Sequence, residues 1–328
     1  MTITHTDVKE SVNESLTYQG NVIATPGHQL GELATTPATD SADKLHSNLQ
    51  QNGYLLIKNF FDRHLVLEAG KEIYRRLGNN DQLDPNFPVE EGVAAASESN
   101  KMNATSEMIS ELAKNNPSLD AVIHGRQILS LFERIFAKKE GLTVPVKYLD
   151  FTWMRAKRPG VTTSTNPHCD IVYMGRGTHK LLTAWTPFCD IPLEMGGLMI
   201  LENSHKLTSL KETYGKIDID TYCENTKRTE PIISGEQWAK THSAGAYDTD
   251  AVHLPKELGG RWLTSNYKAG DLLIFTMFTM HSSSDNTTNK IRISTDTRYQ
   301  PKDEPVDERW IGENPIAHGS KAKRGLIC

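Results

Sequence analysis

His168 stands two residues before a carboxylate in Pro167-His168-Cys169-Asp170, among twelve histidines in the chain. Side chains alternate along an extended chain, so residues at i and i+2 point the same way and can grip one ion together. His281, far downstream, closes an apolar run and can bring a second imidazole to that ion. Two imidazoles and one carboxylate form a facial ligand set that suits Fe(II), leaving open positions for dioxygen and a chelating co-substrate. A bare His-x-Asp pair is also an ordinary turn with its polar groups satisfied. The neighbourhood of His281 therefore carries the weight.

There, Gly270-Asp271 turns into the apolar run 272–275, read as a buried strand continuing to Met280-His281. A Ser- and Asn-rich turn follows, and then a strand over 290–299. Its even positions are Arg292, Ser294, Asp296 and Arg298; its odd ones are Ile291, Ile293, Thr295 and Thr297. One face is charged and the other apolar or β-branched. A charged face beside a metal ligand suits an anionic co-substrate, because arginine holds a carboxylate in a planar fork. Arg292 and Arg298 lie about 20 Å apart along an extended strand, too far to share one carboxylate. A solvated face with Asp296 pairing either arginine reads equally well.

The elements that must position these residues are short strands separated by Gly, Pro, Asn and Asp turns: 144–155, 181–188, 198–201, 271–279 and 290–299. Ahead of them the chain is mostly helical. A short helix over 43–49 closes at Asn52-Gly53, and 54–57 reads as a buried strand. Asp62 caps a helix with Val66, Ala69, Ile73 and Leu77 on one stripe. Further helices are expected over 105–115 and 118–138. Helices followed by strands argue for a mainly β sandwich or barrel with a helical flank. Residues 41–328 form one domain in this reading: helical flank to 140, β core over 141–305, an insertion at about 206–260 and a tail over 306–328. Residues 1–40 are polar and without period, and are expected to be a disordered arm.

With 36 basic and 41 acidic residues the 328-residue chain carries a formal charge of −5. No basic field exists for nucleic acid or an anionic membrane, and no apolar run approaches the ~20 residues of a membrane span. The start lacks a secretory h-region, the end is not the peroxisomal tripeptide, and four cysteines show no disulfide or zinc-knuckle spacing. A cytoplasmic protein is expected.

Taken in order, His168-Cys169-Asp170, Thr183-Ala184-Trp185-Thr186-Pro187, Gly196-Gly197-Leu198-Met199, Asn203-Ser204-His205-Lys206, the 270–275 strand, His281 and Arg292 resemble the phytanoyl-CoA dioxygenase (PhyH) family. Ten residues separate His281 from Arg292, as that pattern requires. The resemblance spans roughly 46–305. It implies a double-stranded β-helix (jelly-roll, cupin-like) core and an Fe(II)/2-oxoglutarate-dependent dioxygenase, with O₂ as second co-substrate. It implies His168, Asp170 and His281 as iron ligands and Arg292 on the far carboxylate of 2-oxoglutarate. Ser283 and Trp185 match positions lining the same pocket; Trp153, with Met154 and Arg155, falls near another co-substrate position. The family's lysine contact has Lys101 as its candidate here. Halogenating relatives lack the carboxylate ligand, so Asp170 implies hydroxylation of an aliphatic C–H, with 2-oxoglutarate converted to succinate and CO₂. Desaturation and ring formation are further outcomes of the same oxidant. The alternatives are a non-catalytic metal- or small-acid-binding jelly roll and a zinc hydrolase using the same triad.

Tyr173 and Met174 are candidates for the substrate side of the iron. Arg176, Lys180 and Arg298 point to a small-molecule substrate carrying an acidic group. Cys169 reads as a small buried hydrophobe, and His205 as a loop-closing hydrogen bonder.

Overall fold

The computed structural model describes residues 16–24, 30–96, 112–161, 163–223, 245–318 and 320–326. Its first part holds strands β1 (Leu16–Tyr18), β2 (Asn21–Ala24) and β3 (Leu30–Glu32), helix α1 (Ala42–Asn52), strand β4 (Tyr54–Ile57), and helices α2 (Arg63–Gly78), α3 (Pro117–Ile123) and α4 (Arg126–Ala137). The second part holds β5 (Val146–Tyr148), β6 (Trp153–Lys157), β7 (Thr165–His168), the single turn α5 (Ile171–Met174), β8 (Leu182–Pro187) and β9 (Leu198–Leu201). After these come α6 (Thr208–Glu212), β10 (Thr221–Cys223), α7 (Leu254–Leu258), β11 (Trp262–Thr264), β12 (Leu272–Thr276), β13 (His281–Ser283), β14 (Arg292–Pro301) and β15 (Arg324–Leu326).

Two sheets form the core. One runs β3-β11-β9-β13-β7; the other runs β4-β12-β8-β14-β5, with β6 also pairing β14. This is the jelly-roll, double-stranded β-helix architecture. Helices α1 to α4 lay their apolar faces on the outer side of the second sheet, where Leu49, Ile73 and Phe132 meet Ile293 and Tyr299. Between the sheets, Trp185, Leu273 and Phe275 meet Leu198, Ile200 and Leu263.

The alternation of β14 decides where the chemistry goes. Its apolar positions pack beneath the helices, so its charged positions turn into the sandwich. Arg292, Ser294, Asp296 and Arg298 are all buried, which removes the solvated-face reading. The β14–β6 register sets Arg292 opposite Lys157 and Asp296 opposite Trp153, and β8 sets Trp185 opposite Asp296.

Several expectations change. The 1–40 arm is not featureless where it is described: β1 and β2 form a hairpin burying Leu16, Tyr18 and Ile23 against the barrel. Tyr18 donates to Asn166 Oδ1 at 2.6 Å, and Asp285 accepts from Gly20 N at 2.9 Å. Three apolar side chains suffice there because they cover a core already formed. The helix expected over 118–138 is two, broken at Gly125, where a Cβ would lie 2.2 Å from the Ala121 carbonyl oxygen. The strand expected over 144–155 is likewise two, and the second runs on to Lys157. The strand expected to reach His281 stops at Thr276; residues 277–280 cross to the other sheet, with Thr279 Oγ1 donating to the Gly53 carbonyl at 2.8 Å. Residues 206–260 contain α6, β10 and α7 where described. Most of the helix expected over 105–115, and Lys101, lie outside the described residues. The tail returns to the barrel: β15 pairs β10 in parallel, and Arg309, fully buried, bonds Asp307 and Asp220.

At Gly70, α2 comes close to the backbone just past β8. A Cβ there would sit 2.3 Å from the Phe188 carbonyl oxygen. Alanine normally stabilises a mid-helix glycine position by ~0.5–1 kcal/mol; here overpacking against rigid backbone reverses the sign. Gly70→Ala is expected to destabilise the fold by ~1–3 kcal/mol, read as a lower urea midpoint at unchanged slope.

Candidate metal centre and co-substrate pocket

His168 is the last residue of β7 and His281 the first of β13. The two strands pair with these residues directly opposite each other. Their rings lie 4.1 Å apart, centroid to centroid. Asp170 is not on the strand. It has helical backbone angles (φ −61, ψ −23) at the start of α5, so the carboxylate reaches the histidines by a turn rather than by strand alternation. Asp170 Oδ1 lies 4.0 Å from His168 Nε2 and 3.8 Å from His281 Nε2. One ligand atom from each residue falls within 4.8 Å of the others, so the three can hold one metal ion.

The surroundings orient these donors. His168 Nδ1 is 2.7 Å from the Asn166 carbonyl and His281 Nδ1 is 3.0 Å from that of Thr279. Each Nδ1–H donates to its carbonyl and leaves Nε2 with a lone pair for a metal. Burial, then the adjacent His281, lowers His168 to about 3, so protons do not compete for that lone pair near neutral pH. Asp170 Oδ2 accepts from Thr183 Oγ1 and, at 3.1 Å, from Arg298 Nη2. Burial pushes this carboxyl up, but Arg298, the two histidines and Thr183 outweigh it and hold it below the usual carboxylate range.

A second group of buried cations lies on the same inner face. Arg292 donates from Nη1 to the Gly196 carbonyl at 2.9 Å and from Nη2 to Ser294 Oγ at 3.1 Å; its Nε is buried without a partner among the described residues. Trp185 lies under it, 5.7 Å from guanidinium to ring centre. Lys157 Nζ donates to Ser283 Oγ and to the Ser284 carbonyl, both at 2.6 Å. Neither cation pairs with a carboxylate among the described residues. Burial lowers Arg292 to about 10; burial and then Arg292 push Lys157 well below the ordinary lysine value. Buried cations without an anion are costly, so this pair fits a carboxylate arriving from a ligand.

A cavity of about 460 Å³ opens onto His168 and Asp170, with Trp153, Tyr173 and Met174 in its wall. The Tyr173 ring meets His168 edge-on at 5.4 Å. Three residues expected on the substrate side have other partners. Arg298 is engaged by Asp170 and stacks 4.1 Å over Trp153, so it serves the metal ligand. Arg176 is not in the wall: its Nε donates to Asp218 at 2.7 Å and its Nη2 to the Ala322 carbonyl at 2.7 Å, which fastens the tail. Lys180 pairs with Glu304. Cys169 is buried in an apolar cluster, and His205 Nε2 closes a loop on the Gln50 carbonyl at 3.0 Å. Sequence reasoning missed Lys157, Thr183 and His318. Lys157 continues the alternation of Trp153 and Arg155 and was readable in principle; His318 has no local motif.

Residues 49–294 match the phytanoyl-CoA dioxygenase (PhyH) family. The chain belongs to this family. It is an iron- and 2-oxoglutarate-dependent dioxygenase, which sets aside the zinc-hydrolase and non-catalytic alternatives. This PhyH-family chain is 23% identical over 278 residues to 1-deoxypentalenic acid 11-beta-hydroxylase of Streptomyces exfoliatus, covering 81% of the chain and 83% of that relative. Among solved structures it resembles the non-heme alpha-ketoglutarate-dependent carbocyclase SnoK from nogalamycin biosynthesis, with TM-score 0.54 and 14% identity over 84% of this chain and 90% of that one. It also resembles EctD from S. alaskensis with 2-oxoglutarate and 5-hydroxyectoine, with TM-score 0.52 and 14% identity over 92% and 95%. These structural likenesses show the PhyH-family chain's fold. No helix among its described residues is long and apolar enough to cross a membrane.

Proposed function

We propose that the enzyme hydroxylates an aliphatic C–H bond of a small molecule, with His168, Asp170 and His281 as iron ligands. Arg292, Lys157 and Ser283 seat the distal carboxylate of 2-oxoglutarate, and Trp185 walls that seat. When bound, ferrous iron with 2-oxoglutarate and O₂ supplies the oxidising chemistry, and the co-substrate leaves as succinate and CO₂. Arg298 and Thr183 fix the Asp170 carboxylate, and the two backbone carbonyls fix the imidazoles. Trp153, Tyr173 and Met174 keep a shaped cavity beside the metal for the substrate.

The observation that favours hydroxylation over halogenation is Asp170 itself. Held by Arg298 and Thr183, this carboxylate would be the third protein ligand of the iron, which would leave a halide no place there. The relative that acts as an 11-beta-hydroxylase supports the same outcome. The test measures succinate from 2-oxoglutarate with Fe(II) under air, then product mass with isotopically labelled O₂. Expected are succinate only under air and one labelled oxygen in the product. Products that have lost hydrogen without gaining label would reject hydroxylation in favour of desaturation or cyclisation.

A further inference from the structure

The cavity wall carries polar groups that neither the iron ligands nor the 2-oxoglutarate seat uses. Gln19 comes from the N-terminal hairpin, Ser164 from just before β7, Asn166 from β7 itself, Arg155 from β6 and His318 from the C-terminal segment. The Ser164 hydroxyl is buried with no hydrogen-bond partner among the described residues. Arg155 donates from Nε to Asp296 Oδ2 at 2.8 Å, and its two terminal nitrogens make no hydrogen bond to a described residue. Its side chain is 39% exposed, and the cavity is where it emerges. Arg298, Arg176 and Lys180 are engaged elsewhere, so Arg155 is the guanidinium in this wall with donors to spare.

His318 is held for a purpose the family pattern does not contain, since it lies beyond residues 49–294. Its Nδ1 sits 2.8 Å from Asp220 Oδ2. Asp220 is 1% exposed and is also gripped by Arg309 at 2.7 Å and Lys323 at 3.3 Å. Edge contacts with Trp310 at 4.5 Å and Tyr173 at 5.7 Å fix the ring. The nitrogen left for a ligand is Nε2.

We propose that the primary substrate is a small polar molecule bearing a carboxylate, bound between Arg155 and His318. This rests on the oxygenase reading of the metal site. An acyl chain or terpene skeleton would strip water from Arg155, Ser164, Asn166 and His318 and return no hydrogen bonds, whereas a polar acid replaces them. A cavity of about 460 Å³ suits a compact ligand.

The Fe(II)-loaded full chain is assayed for succinate under air with the protein amino acids, 2-hydroxy acids and sugar acids, each beside its carboxamide. The methyl esters of 1-deoxypentalenic acid and of a long-chain fatty acid, which carry no carboxylate, serve as apolar probes. A polar acid is expected to raise succinate release above the substrate-free rate, and its carboxamide is not. Calorimetry under nitrogen should then show that acid binding about tenfold or more weakly to Arg155→Gln and to His318→Ala. Stimulation by the apolar probes alone, or by none of the polar acids while substrate-free succinate persists, overturns the proposal. So does parent-like affinity in both variants. No succinate under any condition would sink the oxygenase reading and this one together.

Discussion

His168→Ala is expected to bind no ferrous iron at concentrations that saturate the parent, and to form no succinate. Its Nε2 is one of three donors within 4.8 Å, and the other two cannot enclose an ion. Losing a partner outside the ligand set typically costs ~10–100-fold in metal affinity, so losing a donor should exceed ~100-fold. Arg298→Met supplies the comparison. It leaves all three donors but releases Asp170 Oδ2 from a bond of 3.1 Å, and should weaken iron by only ~10–100-fold. Iron titration followed by metal analysis separates the two. Parent stoichiometry in His168→Ala would remove the ligand assignment.

Lys157→Met is expected to move two quantities in opposite directions: the ligand-free chain gains stability while 2-oxoglutarate binds more weakly. Nζ is buried and bonded to Ser283 and Ser284, and burial with the Arg292 charge opposes its proton more than Asp285 supports it. Removing that charge relieves desolvation and repulsion. The same charge is what a ligand carboxylate would meet, and losing one charge-assisted bond of ~1.5–3 kcal/mol weakens Kd by about 10–150-fold. The folded pKa of Lys157 lies below its unfolded value. Between the two, the unfolded chain binds the extra proton, so stability of the ligand-free protein rises with pH towards ~10.4 and Lys157→Met flattens that rise. Arg292→Lys should keep charge but lose the fork, weakening 2-oxoglutarate while iron stays bound. Urea unfolding across pH and calorimetry under nitrogen read both quantities. Unchanged 2-oxoglutarate affinity in Lys157→Met would remove the lysine from the seat.

Part of this was legible in residue order, most clearly along β14, where alternation is strict. The charged face of 290–299 and the His-x-Asp pair with its distant histidine named the site before any fold was known. What escaped depends on contacts between distant segments. Asp170 reaches its partners by a helical turn, which spacing at i and i+2 does not distinguish from a strand. Arg298 looked free because its partner stands on another element, and Arg176 looked free because the tail that takes it carries no motif. The hairpin at 16–24 was hidden by its polar average, although three buried side chains anchor it. Gly125 breaks a helix whose apolar period continues through it, so the period alone runs past the break.

The grip on Asp170 has one more consequence. With Oδ2 committed to Arg298 and Thr183, the carboxylate can present only Oδ1 to a cation and is confined to monodentate ligation. An aspartate free at both oxygens could chelate an ion and would leave less room beside it for incoming molecules. The guanidinium thus limits what Asp170 could offer an ion, and its removal should loosen the carboxylate together with the iron it would hold.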